Sequence, residues 1–327
     1  MGASEYDLEL DKICRIVKTK RRKKIAIQLP EALKRYAQNI AQYIERTGVI
    51  VSIQGEPCYG ACDLELRSSK KLAVNLGHAE IPYLRSEKIV FVECRAKHDI
   101  KEVVKKACEI LDKNVGLATI AQYTHKLEEA RNILEENGFN VFIGKGTRRL
   151  KYPAQVLGCN FSACSSIASK VDNYLYLGTG NFHPLGIALA TNKKVVIADP
   201  ELNKSSDIEN LKIEILKQRW GAVEKAMSAE FFGIIIGRKQ GQRRGKLALD
   251  IKKSLEKKSK KALLIELSNI EPQYLEGFNC DAFVCTACPR IAIDDFAMFS
   301  KPMLTPVELE ILLGLRKWSD YEFDQID

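Results

Sequence analysis

Residues 278–294 read FNCDAFVCTACPRIAID and combine three cysteines with a Pro-Arg pair and two short apolar runs. The run from Ala282 to Val284 predicts a buried strand, and the residues after it predict a tight loop followed by a second element. In parallel α/β sheets, ligands bind in the crevice beyond the carboxyl ends of the strands. A cysteine loop directly after a strand therefore indicates an α/β fold with a site at that edge.

The same arrangement is predicted twice more, upstream of this segment. Apolar runs predict first strands that begin near residues 24, 114 and 231, each followed by a helical pattern and a second strand. The interval is roughly 100 residues, the size of a small domain rather than of a solenoid repeat. Each unit also carries a cysteine loop after a strand, and the three loops contain Cys58 and Cys62, Cys159 and Cys164, and Cys285 and Cys288.

The predicted fold class is α/β, with three similar domains that each contain a small parallel sheet flanked by helices and that surround one central site. The first domain is predicted over residues 1–110 and begins with a helix over residues 4–17. The second is predicted over 111–222, and the third over 223–327, including a C-terminal tail. Three such domains around a pseudo-threefold axis direct their cysteine loops toward one point.

The length of the chain, its first residues and its apolar runs restrict the class of protein. The chain has 327 residues, too many for one ordinary core and suitable for two or three domains. Its first residues are acidic where a secretory leader is basic and apolar, and no apolar run approaches the roughly 18 residues that span a bilayer. We therefore expect a cytoplasmic protein with no membrane partner.

The net charge of +9 comes largely from three basic runs, at residues 18–24, 238–246 and 252–261. This charge allows an acidic or phosphate-bearing partner. Because no aromatic residues are interleaved to stack bases, we interpret the runs as solvated faces and expect no direct nucleic-acid site.

The chain contains ten cysteines, and in a reducing compartment metal binding or catalysis explains such a number better than disulfides do. Four of them are interpreted as small buried apolar residues: Cys14, Cys94, Cys108 and Cys280. The six in the three loops need another explanation. Thiolates are soft ligands that select iron–sulfur clusters, zinc or copper(I).

Taken singly, each cysteine loop gives a weak signal. Cys285 and Cys288 form a C-x-x-C, but a zinc ribbon needs a second pair roughly 12 to 20 residues away, and a thioredoxin-type pair needs a helix start after the first strand. Cys58 and Cys62 begin like the motif of standard radical S-adenosylmethionine enzymes, but Glu65 stands where the third cysteine would follow. The residues alone leave open which member of each pair is a ligand.

Three motifs occur in chain order, and they are Tyr59-Gly60-Ala61-Cys62, Leu157-Gly158-Cys159, and Ala287-Cys288-Pro289-Arg290 with Ile293-Asp294. They resemble the signatures of the diphthamide-synthesis radical enzymes, the 2-(3-amino-3-carboxypropyl)histidine synthases. Three more segments are similar to that family, and they are Gln28-x-Pro30-Glu31, Gly180-x-Phe182-His183 and Lys301-Pro302-x-Leu304-Thr305-Pro306-x-Glu308. The resemblance covers residues 24 to about 310, and a single chain with all three cysteine motifs is most similar to the archaeal homodimeric form.

The resemblance implies one 4Fe-4S cluster bound by Cys62, Cys159 and Cys288, with one iron left open for S-adenosylmethionine. It implies that the reduced cluster donates an electron to the sulfonium and that the bond to the methionyl γ-carbon breaks. A 3-amino-3-carboxypropyl group and methylthioadenosine are then released, and the group adds to C2 of a histidine imidazole in translation elongation factor 2, the first step toward diphthamide. A homodimer and an unidentified electron donor belong to the expected system. The remaining loop thiols are then spare, namely Cys58, Cys164 and Cys285.

Residues at the strand ends are candidates for contacting the cosubstrate. Gln28 and Pro30 end the first strand, where a ligand-facing loop is expected, although proline there also simply terminates a strand. Gly178 and Gly180 belong to a glycine-rich turn whose backbone N–H groups can cradle a ligand, and an ordinary turn explains the same pattern equally well.

Three further side chains are candidates. His183 is the catalytic candidate, as a group that hydrogen-bonds substrate or manages a proton, with a satisfied structural histidine as the alternative. Arg290 has the fork geometry that pairs with a carboxylate. Asp294 either contacts the cosubstrate or holds Arg290 in place.

Two other function classes fit part of the pattern. A quinolinate-synthase-like dehydratase also takes one cysteine from each of three α/β domains, but its open iron acts as a Lewis acid and needs neither S-adenosylmethionine nor a reductant. A zinc-stabilised nucleic-acid-binding protein is the non-enzymatic alternative, which a content of about one zinc without iron or sulfide would identify.

Overall fold

The structure, a computed structural model, describes residues 5–63 and 72–327. Its main sheets fall in three successive parts of the chain and are flanked by helices. The predicted α/β class with several small parallel sheets is therefore confirmed.

The first sheet is parallel, with two largely buried central strands and one largely exposed edge strand. Its part of the chain contains β1 (Tyr6–Asp7), α1 (Leu10–Thr19), β2 (Lys24–Gln28), α2 (Glu31–Lys34), α3 (Ala37–Glu45), β3 (Ile50–Ile53), β4 (Leu72–Leu76), β5 (Ile89–Val92) and β6 (Arg95–Ala96). The strand order is β3-β2-β4-β5. Because β1 pairs with β6, the N-terminal helix begins at Leu10 and not near residue 4 as predicted. A turn at Arg35 and Tyr36 separates α2 from α3.

The second sheet has the order β11-β10-β9-β7-β8 and is parallel except for its edge strand β11. Its elements are α4 (Lys101–Cys108), β7 (Asn114–Thr119), α5 (Leu127–Glu136), β8 (Asn140–Ile143), α6 (Ser162–Ser165), β9 (Asn173–Leu177), α7 (Phe182–Thr191), β10 (Lys194–Asp199), β11 (Lys204–Asp207) and α8 (Glu209–Ala226). All residues of β9 are buried, as expected for a strand that is covered on both faces.

The third sheet has the parallel order β13-β12-β14-β15. Its elements are β12 (Phe231–Gly237), α9 (Gly245–Lys257), β13 (Lys261–Leu267), β14 (Ala282–Cys285), α10 (Pro289–Ile293), β15 (Met303–Leu304) and α11 (Pro306–Leu312). The strand, loop and second element predicted for residues 278–294 are thus β14, the loop that contains Cys288, and α10.

Two helices join neighbouring units. Val103 and Ala107 of α4 pack into the core of the second sheet, although α4 precedes residue 110. Helix α8 passes through residue 222, and its Ala222 and Ala226 belong to the core of the third sheet. The domain boundaries 1–110, 111–222 and 223–327 stay predictions. Helix α4 connects the first unit to the second, and helix α8 connects the second unit to the third.

All three sheets present the carboxyl ends of parallel strands to one central cavity. The residues that line it follow six strands directly or closely, and they include Gln28, His78, Ile120, Phe182, Lys239 and Cys288. This is the edge at which α/β sheets bind ligands. None of the helices within the described residues combines the length and apolar character needed to cross a bilayer.

Candidate metal centre

One cysteine from each unit lines the central cavity, which has a volume of about 500 Å³. The three are Cys62, Cys159 and Cys288. Cys159 is buried, whereas Cys62 and Cys288 are partly accessible. Small-molecule sites in proteins measure roughly 300–1,000 Å³, so the cavity has the size of a ligand site.

The other cysteine of each loop does not line this cavity in the part of the chain that the structure describes. Cys58 accepts a hydrogen bond from Asn75 Nδ2 at 3.4 Å, and Cys164 lies in the apolar core of the second unit. Cys285 donates to the carbonyl oxygen of Cys288 at 3.6 Å. Burial raises the pKa of Cys58 to about 11 and that of Cys285 to about 12, so both are neutral thiols at pH 7.

The Cys62 loop is held by a segment of the third unit, residues 239–244, which we call the bridging segment. Lys239 forms an ion pair with Asp63 at 2.6 Å, and the two side chains are 8% and 5% exposed. Gln242 Nε2 donates to Cys62 Sγ at 3.5 Å. At Gly241 the two chains approach so closely that a Cβ would lie 2.5 Å from Cys62 Cβ. A side chain at that position would displace the Cys62 loop.

The Cys159 loop is held by the C-terminal tail. Leu157 and Asn160 close a tight turn around Cys159 with two backbone hydrogen bonds of 3.0 and 3.1 Å. The backbone N–H of Ile326 donates to the carbonyl oxygen of Cys159 at 2.8 Å. Phe323 packs edge-on against Phe161, with ring centroids 5.1 Å apart. The tail assigned to the third unit therefore lies on the second.

Cys288 is the N-cap residue of α10, and Pro289 occupies the first helical position, where its fixed φ suits a helix start. Arg244 of the bridging segment supports the approach to this cap. Its Nε donates to the carbonyl oxygen of Thr286 at 2.7 Å and its Nη2 to that of Ala287 at 3.1 Å. The same guanidinium pairs with Asp324 of the tail at 2.5 Å, so the Cys288 and Cys159 loops are connected.

The donor set fits an iron–sulfur cluster. Burial, followed by the charge of Cys159, raises the pKa of Cys62 to about 11, and the same two causes raise the pKa of Cys288 well above its ordinary value. Three thiolates around one cavity repel each other, which raises their pKa, and a cationic metal core would stabilise the thiolates and lower their pKa. No group of three or more His, Cys, Asp or Glu side chains in residues 5–63 and 72–327 is arranged to hold a single metal ion.

Four of the predicted cosubstrate residues line the cavity, namely Gln28, His183, Arg290 and Asp294. Arg290 Nε donates to Asp294 at 2.7 Å, so Asp294 holds the guanidinium in place. Arg290 also lies over the ring of Phe182. His183 stacks on Tyr176, with ring centroids 6.0 Å apart. Burial, and then the charge of Arg290, lowers the pKa of His183 to about 3.

The other three predicted residues are absent from the described cavity wall, and their role in binding stays a prediction. Pro30 packs behind the wall against Gly77, where a Cβ would lie 2.9 Å from Pro30 Cγ. Gly180 has φ of +72°, a conformation that favours glycine for backbone reasons alone. A Cβ on Gly178 would lie 2.8 Å from the Tyr176 hydroxyl, so close packing explains that glycine.

Several wall residues had no signal in the sequence. They are His78, Arg149, Lys239 and Gln242. The prediction that residues 238–246 form a solvated face is wrong for Lys239 and Arg244, since both form buried or nearly buried ion pairs. Their partners, Asp63 and Asp324, are distant in the sequence, so a local charge run does not reveal them.

Comparison with protein-family models matches residues 29–323 to the family described as "Putative diphthamide synthesis protein". The 2-(3-amino-3-carboxypropyl)histidine synthase of Pyrococcus horikoshii is 39% identical over 311 residues, which cover 93% of this chain and 89% of that protein. The protein of the same name from Methanocaldococcus jannaschii is 30% identical, with 98% and 93% covered. The crystal structure of Dph2 from P. horikoshii with a 4Fe-4S cluster matches with a TM-score of 0.89 and 38% identity, covering 98% of this chain and 94% of that one.

Proposed function

The chain belongs to the diphthamide synthesis protein family, and from this membership we propose that it transfers the 3-amino-3-carboxypropyl group of S-adenosylmethionine to imidazole C2 of a histidine in translation elongation factor 2. Its relatives are named 2-(3-amino-3-carboxypropyl)histidine synthases, so it is an enzyme that makes this histidine derivative, in diphthamide biosynthesis. The donor, the acceptor protein and the radical route are the proposed part.

The observation that carries the proposal is the convergence of Cys62, Cys159 and Cys288 on one cavity. Each comes from a different sheet, and each is held by contacts that reach another part of the chain. We propose that these three thiolates hold a 4Fe-4S cluster, as the chemistry of the donor set favours. When bound, the cluster supplies the electron that cleaves the bond between the sulfonium and the methionyl γ-carbon.

The contribution of the chain is to position the cosubstrate. Cleavage at the γ-carbon, and not at ribose C5′, requires one bound orientation, and a misplacement of about 1 Å can cost roughly 10²-fold in rate. Arg290 supplies a fixed cation on the wall because Asp294 holds it. Gln28 is held by Asn75, whose Nδ2 donates to Gln28 Oε1 at 3.1 Å. These preorganised groups are suited to the charged methionyl moiety.

Formation of the C2-substituted imidazole by a radical route would release the C2 hydrogen as a proton together with one electron. The electron would replace the one that the cluster supplied, and the site must conduct the proton away. His183 and His78 lie on the wall, and burial is the main reason that their pKa values fall to about 3 and about 4. Both rings are therefore neutral at pH 7. Neutral rings can accept a hydrogen bond or relay a proton without storing charge. His183 remains the catalytic candidate in this proposal.

The remaining assignments follow from the same proposal. The enzyme acts in the cytoplasm as a homodimer, receives electrons from a separate electron donor, and binds elongation factor 2 without a direct nucleic-acid site. A quinolinate-synthase-like dehydratase is not favoured, because the family match extends over residues 29–323.

The test is anaerobic transfer of labelled carboxypropyl group to elongation factor 2 by the reconstituted, reduced protein. We expect methylthioadenosine as the second product, and 5′-deoxyadenosine in its place would overturn the bond assignment. Alanine at Cys62, Cys159 or Cys288 is expected to abolish transfer and reduce bound iron and sulfide.

The matched controls replace the other cysteine of each loop with alanine, namely Cys58, Cys164 and Cys285. Because these thiols are packed away from the cavity, the controls are expected to keep iron and transfer activity. If a control variant loses its iron while alanine at the other cysteine of the same loop leaves iron binding unchanged, the ligand of that loop is wrongly assigned.

A further inference from the structure

Arg149 is a buried cation at the junction of the three units. Its side chain belongs to the second unit, is 1% exposed and lines the central cavity. Nη1 donates to the hydroxyl of Tyr83 in the first unit at 2.5 Å, and Nη2 donates to the carbonyl oxygen of Gly241 in the third at 2.7 Å. The guanidinium is therefore fixed in position from two sides.

The positive charge of Arg149 has no carboxylate partner among residues 5–63 and 72–327. The hydroxyl and the carbonyl that accept from it are neutral, and its Nε, also buried, has no partner in this described part of the chain. Burial of an uncompensated charge costs several kcal/mol. Such a group is normally paired with an anion.

Other buried cations of this protein do have such a partner. Lys239 pairs with Asp63, and Arg219 pairs with Glu308 through side chains that are both 0% exposed. Arg149 differs from them because its neighbours in the cavity are thiols. The thiols are those of Cys159 and Cys62, which line the same cavity wall as Arg149. An anion that matches Arg149 would therefore lie in the cavity.

We propose that Arg149 is the fixed counter-charge of the cluster held by Cys62, Cys159 and Cys288, and that it raises the reduction potential of that cluster. The inference rests on the proposed function. A cluster with three thiolate ligands is anionic, and reduction adds one more negative charge. A buried cation nearby therefore stabilises the reduced form more than the oxidised form. Since Nε is buried and unpartnered among the described residues, it is available to donate to a sulfur atom of the bound cluster.

The experiment compares the cluster midpoint potential in the wild type, Arg149→Gln, Arg149→Lys and Arg148→Gln. All are reconstituted anaerobically as full chains and titrated with dithionite and mediators, with the signal of the reduced cluster as the readout. Arg148→Gln is the matched control, because it removes the same charge from the neighbouring, exposed residue. Iron, sulfide and far-UV circular dichroism establish that each variant is folded and loaded.

We expect Arg149→Gln to lower the reduced-to-oxidised ratio at a fixed potential at least tenfold, which for a one-electron couple corresponds to a shift of about 59 mV to more negative potential. Arg149→Lys keeps the charge and is expected to recover most of that shift, while Arg148→Gln stays at the wild-type value. If Arg149→Gln cannot hold a cluster but Arg149→Lys holds one at the wild-type potential, the charge is again what matters.

An unchanged potential in loaded Arg149→Gln would overturn the inference, as would loss of the cluster in both Arg149 variants, which would make the residue a structural spacer. A weakened affinity for S-adenosylmethionine at unchanged potential would also overturn it, because Arg149 would then bind the cosubstrate. Failure of the wild-type chain to assemble any cluster would instead refute the proposed function. The two failures are therefore distinguishable.

Discussion

Gly241→Ala tests whether the bridging segment sets the position of Cys62. An added Cβ would lie 2.5 Å from Cys62 Cβ and 2.6 Å from Cys62 Cα. Non-bonded carbon atoms ordinarily approach to about 3.5–4.0 Å, so one of the two backbones must move by about 1 Å. On one side the Gly241 carbonyl is fixed by Arg149, and on the other Asp63 is fixed by Lys239. Neither side can give way without losing a buried interaction.

The expected cost has two parts. Overpacking of this kind lowers the free energy of unfolding by about 1–3 kcal/mol. A displacement of about 1 Å of one of the three proposed ligands would also weaken cluster binding, because a rigid metal core requires all its ligands in position together. We expect iron transfer from the reconstituted protein to a chelator to become at least tenfold faster, and carboxypropyl transfer to fall by roughly 10²-fold.

The assay measures iron and sulfide per chain, the rate of iron transfer to the chelator, and thermal unfolding. Gly245→Ala is the matched control, because a Cβ added there, at the start of α9, would meet no surrounding atom of the described chain within 4 Å. It is expected to bind iron like the wild type. If Gly241→Ala retains iron as long as Gly245→Ala does, the close approach to Cys62 does not position the ligand, and the reasoning fails.

Two further predictions concern stability. Arg219→Met leaves Glu308 buried without its partner and is expected to lower the free energy of unfolding in urea by about 3–5 kcal/mol. Addition of Glu308→Leu should restore part of this loss, and a double variant that is no more stable than the single one would contradict the pairing. Asp281 accepts hydrogen bonds from the backbone N–H groups of Glu230 and Phe231, which lower its pKa. The stabilisation by the Asp281 carboxylate is thus present above the unfolded pKa of about 3.9 and is lost as the pH falls through the lower folded pKa. The difference in free energy of unfolding between the wild type and Asp281→Asn should therefore become smaller in acid. A difference that does not vary with pH would refute this.

The order of the elements was predictable because parallel strands that are covered on both faces are continuous apolar runs. The predicted starts near 24, 114 and 231 agree with β2, β7 and β12, which begin at Lys24, Asn114 and Phe231. The edge strand β11 was missed, because its residues Lys204–Asp207 contain no apolar run. The pattern of apolar residues thus reveals strands that are themselves apolar and buried, and it misses a polar strand that forms by pairing with a neighbouring strand.

The cavity-facing cysteine of each pair was not predictable from spacing alone. In the C-x-x-C of the third unit, Cys285 is the last residue of β14 and is fully buried in a sheet core, whereas Cys288 caps α10 and lines the cavity. Which way a thiol points depends on the backbone path through two intervening residues. That path is fixed by contacts with Arg244, which is distant in the chain.

The bridging segment explains why the site could be predicted only in part. Its Lys239 bonds the first unit, the Gly241 carbonyl accepts from Arg149 of the second, and Arg244 bonds both the Cys288 loop and the tail that covers Cys159. Every partner is far away in the sequence, so the local pattern shows only a run of basic residues. Since one segment contacts the supports of all three cysteine loops, the positions of the three thiols depend on how the units pack against one another. The three cysteines are local features of three loops, but their convergence on one cavity is a property of the packed interface between the units.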